Sequence, residues 1–205
     1  MGLYEEHVLP RLVHLACSSR PAERQRERVL PAARGRVLEI GVGSGLNLPF
    51  YEPNRVAGVV GIDPSRRLLS MASGRAASAP VPVCLLRAGG EAIPLATASV
   101  DTIVSTFTLC TIPDAVGALR EMGRVLRPGG HLLFCEHGLA PDEGVRRWQD
   151  RLDGLWGRIA GGCHLNRDIP GLLRQAGFEV ADLETDYIAG WRPASYTFRG
   201  TARAG

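Results

Sequence analysis

The chain has 205 residues, 45% of them apolar, and a net charge of +3 from 24 basic and 21 acidic side chains, every basic one an arginine. That is enough for one sizeable core, and the charges are too evenly spread to suggest nucleic acid as a partner. Five cysteines at 17, 84, 110, 135 and 163 form no C-x-x-C pair, so neither a disulfide framework nor a metal site is expected, and no run approaches the ~18 apolar residues of a membrane span.

In chain order, the N-terminal MGLYEEHVLPRLVHLACSSR carries charges where a signal peptide needs an apolar core, so a cytoplasmic protein is expected. The spacing of Val8, Leu12 and Leu15 predicts a short amphipathic helix. It is read as a flap on the domain over residues 1–30, with weak peripheral membrane contact as the lesser reading. Short, nearly continuous apolar runs follow at RVLEIG (36–41), VAGVVGID (56–63), PVCLLRA (82–88), SVDTIVST (99–106) and HLLFCEHG (131–138). Such runs suit strands buried on both faces of a parallel sheet. Between the last two, Val116, Leu119, Met122, Val125 and Leu126 lie on one helical stripe, with Asp114 placed to cap the start and Pro128-Gly129-Gly130 to end it. Beyond residue 142, Val145, Trp148, Leu152, Leu155, Trp156 and Ile159 recur at helical spacing, which reads as a core-packing face. A helix at about 168–176 then leads into two late strand candidates, FEVADLETDYI and ASYTFRGTA. The alternation predicts one doubly wound α/β domain with a parallel sheet and helices on both faces.

The first strand runs into VLEIGVGSGLN, where Gly41, Gly43 and Gly45 alternate with other residues. A glycine turn beyond the carboxyl end of such a strand lets a ligand approach the backbone closely. A dinucleotide site would read G-x-G-x-x-G, but here the third glycine arrives one residue early and Glu39 precedes the first. Asp63 ends the second strand where a carboxylate can take ribose hydroxyls. A carboxylate at 39 suits a cationic ligand better than a phosphate, so the expected ligand is a nucleoside with a cationic tail.

These residues resemble the class I S-adenosylmethionine-dependent methyltransferases: VLEIGVGSG the first motif, GIDPS the second-strand motif, EAIPLATASVD with TIVSTFTLCTI the third- and fourth-strand region, and LRPGGHLLF the entry to the fifth strand. GLNLPFY, LC at 109–110, FCEHG and GGCHLNRD are similar to the branch of the methyltransferase-like seven proteins, thiol S-methyltransferases whose animal members carry a hydrophobic N-terminal anchor. The resemblance implies S-adenosyl-L-methionine as cofactor and one α/β domain with a Rossmann-like, doubly wound, mostly parallel seven-stranded sheet, helices on both faces and a C-terminal antiparallel strand. In it residues 31–138 would form the cofactor-binding core and residues 139–205 the acceptor-side helices and last strands. Glu39 would face the cofactor's methionine ammonium, Gly41, Gly43 and Gly45 the bare backbone, and Asn47 the same loop. Asp63 would take the ribose, Pro64, Ser65, Gly90 and Glu91 would flank the adenine, and Thr106, Phe107 and Thr108 would border methionine and acceptor.

On the acceptor side, His137 and His164 are candidates to deprotonate or orient the acceptor, Glu136 to orient a histidine, and Arg167 to hold an anionic group. Cys110 and Cys163 read as small pocket-lining residues. The expected reaction is methyl transfer to a small-molecule acceptor, a thiol first, with an amine, hydroxyl or lipid headgroup as alternatives. A nicotinamide-dependent oxidoreductase and a non-catalytic S-adenosylmethionine-binding protein remain as readings from other classes.

Overall fold

The computed structural model describes residue 4 and residues 8–205; residues 1–3 and 5–7, at the start of the expected flap, lie outside the described residues. The chain forms helices α1 (Leu9–Cys17) and α2 (Arg20–Val29), strands β1 (Gly35–Ile40) and β2 (Val56–Ile62), helix α3 (Arg66–Ala77), and strands β3 (Val83–Leu86) and β4 (Val100–Thr106). Helix α4 (Ala115–Val125), strand β5 (Leu126–His137), helices α5 (Glu143–Ile159) and α6 (Ile169–Gln175), and strands β6 (Phe178–Tyr187) and β7 (Tyr196–Ala204) complete it. The seven strands lie in the order β3-β2-β1-β4-β5-β7-β6. Pairing is parallel from β3 through β5, and β7 runs antiparallel to both of its neighbours. The order reverses between β1 and β4, so the loops after these strands diverge and open a crevice at their carboxyl ends.

Side chains alternate across the sheet and build a core on each face. Leu38, Ile40, Ile103, Leu132 and Phe134 pack with Leu119 and Met122 of α4 and Leu173 of α6. Val37, Val59, Val104, Leu133 and Cys135 pack on the other face with Val29, Leu30 and Tyr51. Glu39 therefore shares the second face with Val37, while Glu136 shares the first with Phe134.

Three expectations are corrected here. Asp114 does cap α4, its Oδ1 accepting from Gly117 N at 2.8 Å, but the helix stops at Val125 and passes straight into β5. Pro128-Gly129-Gly130 lies inside β5 as an irregularity: Val100 pairs with Leu126 and Thr102 with His131, so the intervening residues bulge from the ladder. The apolar stripe of α5 faces the core only in part, with Val145, Leu152 and Trp156 half-buried. Trp148 and Leu155 are 55% and 59% exposed, Ile159 is exposed too, and Arg151 lies over the Trp148 ring. The α5 residue that is buried is Gln149, whose Nε2 donates to the carbonyls of Gly138, Leu165 and Pro193 and whose Oε1 accepts from Ala140 N, all at 2.9–3.0 Å. A polar clamp between three loops thus docks α5 where an apolar seam was expected. The stripe of α1 is turned outward as well: Val8, Leu12 and Leu15 are exposed, while Pro10 is buried.

Gln149→Ala should therefore cost about 3 kcal/mol, because it leaves several buried backbone groups without partners, whereas Trp148→Ala should cost under ~1 kcal/mol. Urea unfolding midpoints of the two variants give the comparison; equal losses would mean that α5 docks through its apolar face after all.

Candidate active site

A cavity of about 320 Å³ opens at the carboxyl ends of β1, β2 and β4, a size that suits a small-molecule site. Its floor is the loop after β1. Gly41, Gly43 and Gly45 all have positive φ, at +64°, +55° and +79°, a region that glycine enters without steric cost. Two of them serve different ends. A Cβ on Gly41 would stand 2.4 Å from Thr108 Cγ2, so the loop can approach the β4 turn only without a side chain. A Cβ on Gly43 would meet nothing closer than a carbonyl at 3.8 Å, so that position is bare toward open space.

Asp63, just beyond β2, pins this loop. Its Oδ2 accepts from Gly43 N at 3.0 Å and its Oδ1 from Ser65 N at 2.8 Å. Burial raises its pKa while these two backbone bonds lower it, and each oxygen keeps a lone pair for another donor. Glu39 lies beside it at 2% exposure, accepting from Asn47 Nδ2 at 3.0 Å and Tyr51 OH at 2.8 Å. Burial pushes its carboxyl up to about 7 against the pull of those bonds and of the Arg26 charge. Arg26 Nε in turn donates to Asn47 Oδ1 at 2.9 Å, and Asn47 Nδ2 also reaches Thr106 Oγ1 at 3.0 Å. Arg26 and Tyr51 were not singled out in the sequence: an arginine among many in α2 carries no signal until the fold turns it inward.

The opposite wall is the turn after β4. Phe107 adopts φ +52°, rare for a residue with a side chain. Glu136, fully buried on β5, explains it. Its Oε2 accepts from Thr108 N at 2.7 Å and Leu109 N at 3.1 Å, and its Oε1 from Ser105 Oγ at 2.7 Å, so the turn is wrapped around a carboxylate. Burial raises Glu136 to about 7 and the three donors oppose the rise. Glu136 therefore orients a loop and not a histidine; neighbours on a strand point to opposite faces, which separates it from His137.

Of the expected cofactor residues, Glu39, Gly41, Gly43, Asn47, Asp63, Pro64, Ser65, Gly90, Glu91, Thr106, Phe107 and Thr108 all line the cavity, and Gly45 packs beneath it against Leu48 and Ala72. The expected acceptor residues do not line it. His137 is buried with Nε2 3.2 Å from Cys163 Sγ, His164 Nδ1 is 2.8 Å from Asp153 Oδ2, and Arg167 donates to the carbonyl of Leu109. Contacts with Cys110 and then His137 hold the Cys163 thiol well below its ordinary range, against the effect of burial.

The roof comes instead from α1, which contributes Leu9, Pro10, Val13, His14 and Cys17. His14 Nδ1 is 2.7 Å from Ser44 Oγ in the glycine loop, and among the described residues it is the one imidazole on the cavity wall. The 10-13-14-17 spacing was the available signal, masked by the stronger apolar stripe of the outward face. Facing α1 across the mouth are Ala160 and Gly161, and a Cβ on Gly161 would press into Leu9.

Residues 38–134 match the family model described as a methyltransferase domain. The chain is 31% identical to rat thiol S-methyltransferase TMT1B over 78% of its length, and 34% identical to human thiol S-methyltransferase TMT1A over 75%. It spans 64% of the length of each, less than two thirds of these relatives. Its fold matches that of a SAM-dependent methyltransferase from Thermotoga maritima with a TM-score of 0.67 at 23% identity, covering 95% of this chain and 98% of that one.

Glu39 titrates near 4.5 when unfolded and near 7 in the fold, so the native state favours its protonated form. That contribution is complete below the unfolded value and is lost as pH rises through 7. Stability of the ligand-free protein, followed by urea unfolding, should fall between pH 5 and 8 more steeply in wild type than in Glu39→Gln. Parallel pH profiles would mean that burial leaves Glu39 unperturbed.

Proposed function

We propose that this chain, whose residues 38–134 match a methyltransferase-domain model, transfers a methyl group from S-adenosylmethionine to a small lipophilic thiol. What supports this reading is the mixed lining of the cavity. Glu39 and Asp63 stand at the bare glycine loop, while Leu9, Pro10, Val13, Phe107 and Ile112 add an apolar lining. Carboxylates suit the ammonium and ribose of the cofactor, and an apolar wall suits a neutral thiol better than a charged amine.

Bound there, S-adenosylmethionine supplies an electrophilic methyl on a sulfonium. Asp63 uses its free lone pairs for ribose hydroxyls, and Glu39 ionises to meet the ammonium. Pro64, Ser65, Gly90 and Glu91 flank the adenine. Thr106, Phe107 and Thr108 hold the reacting end in line, and much of the acceleration comes from such positioning. An alkyl thiol with a pKa near ~8.5 is only a few per cent ionised at pH 7. His14 removes that proton. In the tautomer whose Nδ1–H points at Ser44 Oγ, 2.7 Å away, Nε2 carries the lone pair that accepts it. Bound S-adenosylmethionine would supply the methyl carbon to which the thiolate sulfur bonds as the carbon–sulfonium bond breaks. Five unpaired cysteines support a reducing, cytoplasmic setting for this chemistry.

Asp63→Ala should weaken S-adenosylmethionine binding at least about tenfold in calorimetry, since charge-assisted bonds are worth roughly 1.5–3 kcal/mol each; unchanged affinity would remove its ribose role. His14→Ala should lower kcat/KM for a small thiol by roughly 10²-fold at pH 7, and the defect should shrink at pH 9.5, where the acceptor ionises unaided. His131→Ala, at the opposite edge of the sheet, should do little. A defect that persists at high pH would make His14 a packing residue, and no turnover of any thiol would overturn the thiol assignment.

A further inference from the structure

Behind the cavity wall, three side chains with soft or borderline donor atoms meet from three separate segments. Cys110 follows the β4 turn, His137 ends β5, and Cys163 lies between α5 and α6. All three are buried, and one donor atom from each lies within 4.8 Å of the other two. His137 Nε2 is 3.2 Å from Cys163 Sγ, and Nδ1 is buried with no hydrogen-bond partner among the described residues. Buried polar groups are normally hydrogen-bonded. The one side-chain hydrogen bond of this histidine among the described residues is to a sulfur. The backbone already joins the two cysteine segments, since His164 N donates to Cys110 O at 2.9 Å.

From this convergence we propose that Cys110, His137 and Cys163 form a binding site for a thiophilic divalent metal ion, zinc by its donor chemistry. Two thiolates and a neutral imidazole are a zinc donor set, and three protein ligands leave a fourth position for water or a small ligand. The charges balance as well: two thiolates cancel the two positive charges of the ion, so the loaded site carries no net charge into the core. Bonds of about 2.3 Å to sulfur and about 2.0 Å to nitrogen place tetrahedral donors ~3.5–3.8 Å apart. Closing the cluster onto an ion therefore needs contraction of about 1.3 Å at most. Loading releases two protons, one from Cys110 and one held between Cys163 and His137. A bound ion would tie the β4 turn to the Gly161–Cys163 segment, and both border the cavity.

The test is titration of the chelator-stripped, phosphine-reduced full chain with Co²⁺ under anaerobic conditions. The site predicts one equivalent bound, with sulfur-to-cobalt charge-transfer absorption and the intense visible bands of tetrahedral cobalt, both abolished by added Zn²⁺. Cys110→Ser and Cys163→Ser, each checked for a wild-type circular dichroism spectrum, should each weaken binding by at least about 100-fold. Cys84→Ser, at an exposed cysteine on β3, should leave it unchanged. Absence of the charge-transfer band in wild type, or its survival in both serine variants, would overturn the proposal. So would a Cys110–Cys163 disulfide found by mass spectrometry in freshly purified protein that takes up no metal once reduced.

Discussion

A carboxyl group fully withdrawn from water is costly unless donors surround it, and the site is arranged around one such group, Glu136. Its oxygens collect the hydroxyl of Ser105 and the backbone N–H groups of Thr108 and Leu109. Those bonds bend the chain after β4 tightly enough to put Phe107 in the left-handed region. The bend sets Thr108 against Gly41 and so fixes how far the glycine loop stands from β4. It also presents the carbonyl of Leu109 to Arg167 and carries Cys110 inward beside His137 and Cys163. Replacing Glu136 by an apolar residue would leave three donors unanswered, and the cavity wall would lose its shape before its composition changed.

A second carboxylate, Glu39, works differently. Glu136 is surrounded by donors that serve the fold alone, whereas Glu39 reaches the cavity through one edge and shares Asn47 with Arg26 and Thr106. Holding a buried acid near neutrality leaves it ready to ionise when a cation arrives. Part of the electrostatic cost of that charge is thereby deferred from folding to binding.

Helices α1 and α5 show the limit of periodicity as a guide. Each has an apolar stripe, and each turns that stripe to solvent around Leu12 and Leu15 or Trp148 and Leu155. The residues that dock them are fewer and less regular: Pro10 on α1, and Gln149 with its ring of carbonyls on α5. A hydrophobic period identifies a face but names no partner for it, and a single glutamine that satisfies four backbone groups can outweigh a stripe of large side chains.

The sequence by itself determined the sheet and the glycine-loop side of the cavity. Strand runs, the alternating glycines, Glu39 and Asp63 are local features: each is fixed by a handful of adjacent residues and the alternation of β with α, and so is legible in one dimension. The α1 side of the cavity and the cluster behind its wall were decided only by tertiary structure. His14 reaches the cavity because α1 folds back over the glycine loop, His137 stays out of it with Nε2 on Cys163, and Cys110 meets Cys163 across three intervening elements. Such placements depend on which faces pack together, a property of the whole sheet and its helices that no short window of residues contains.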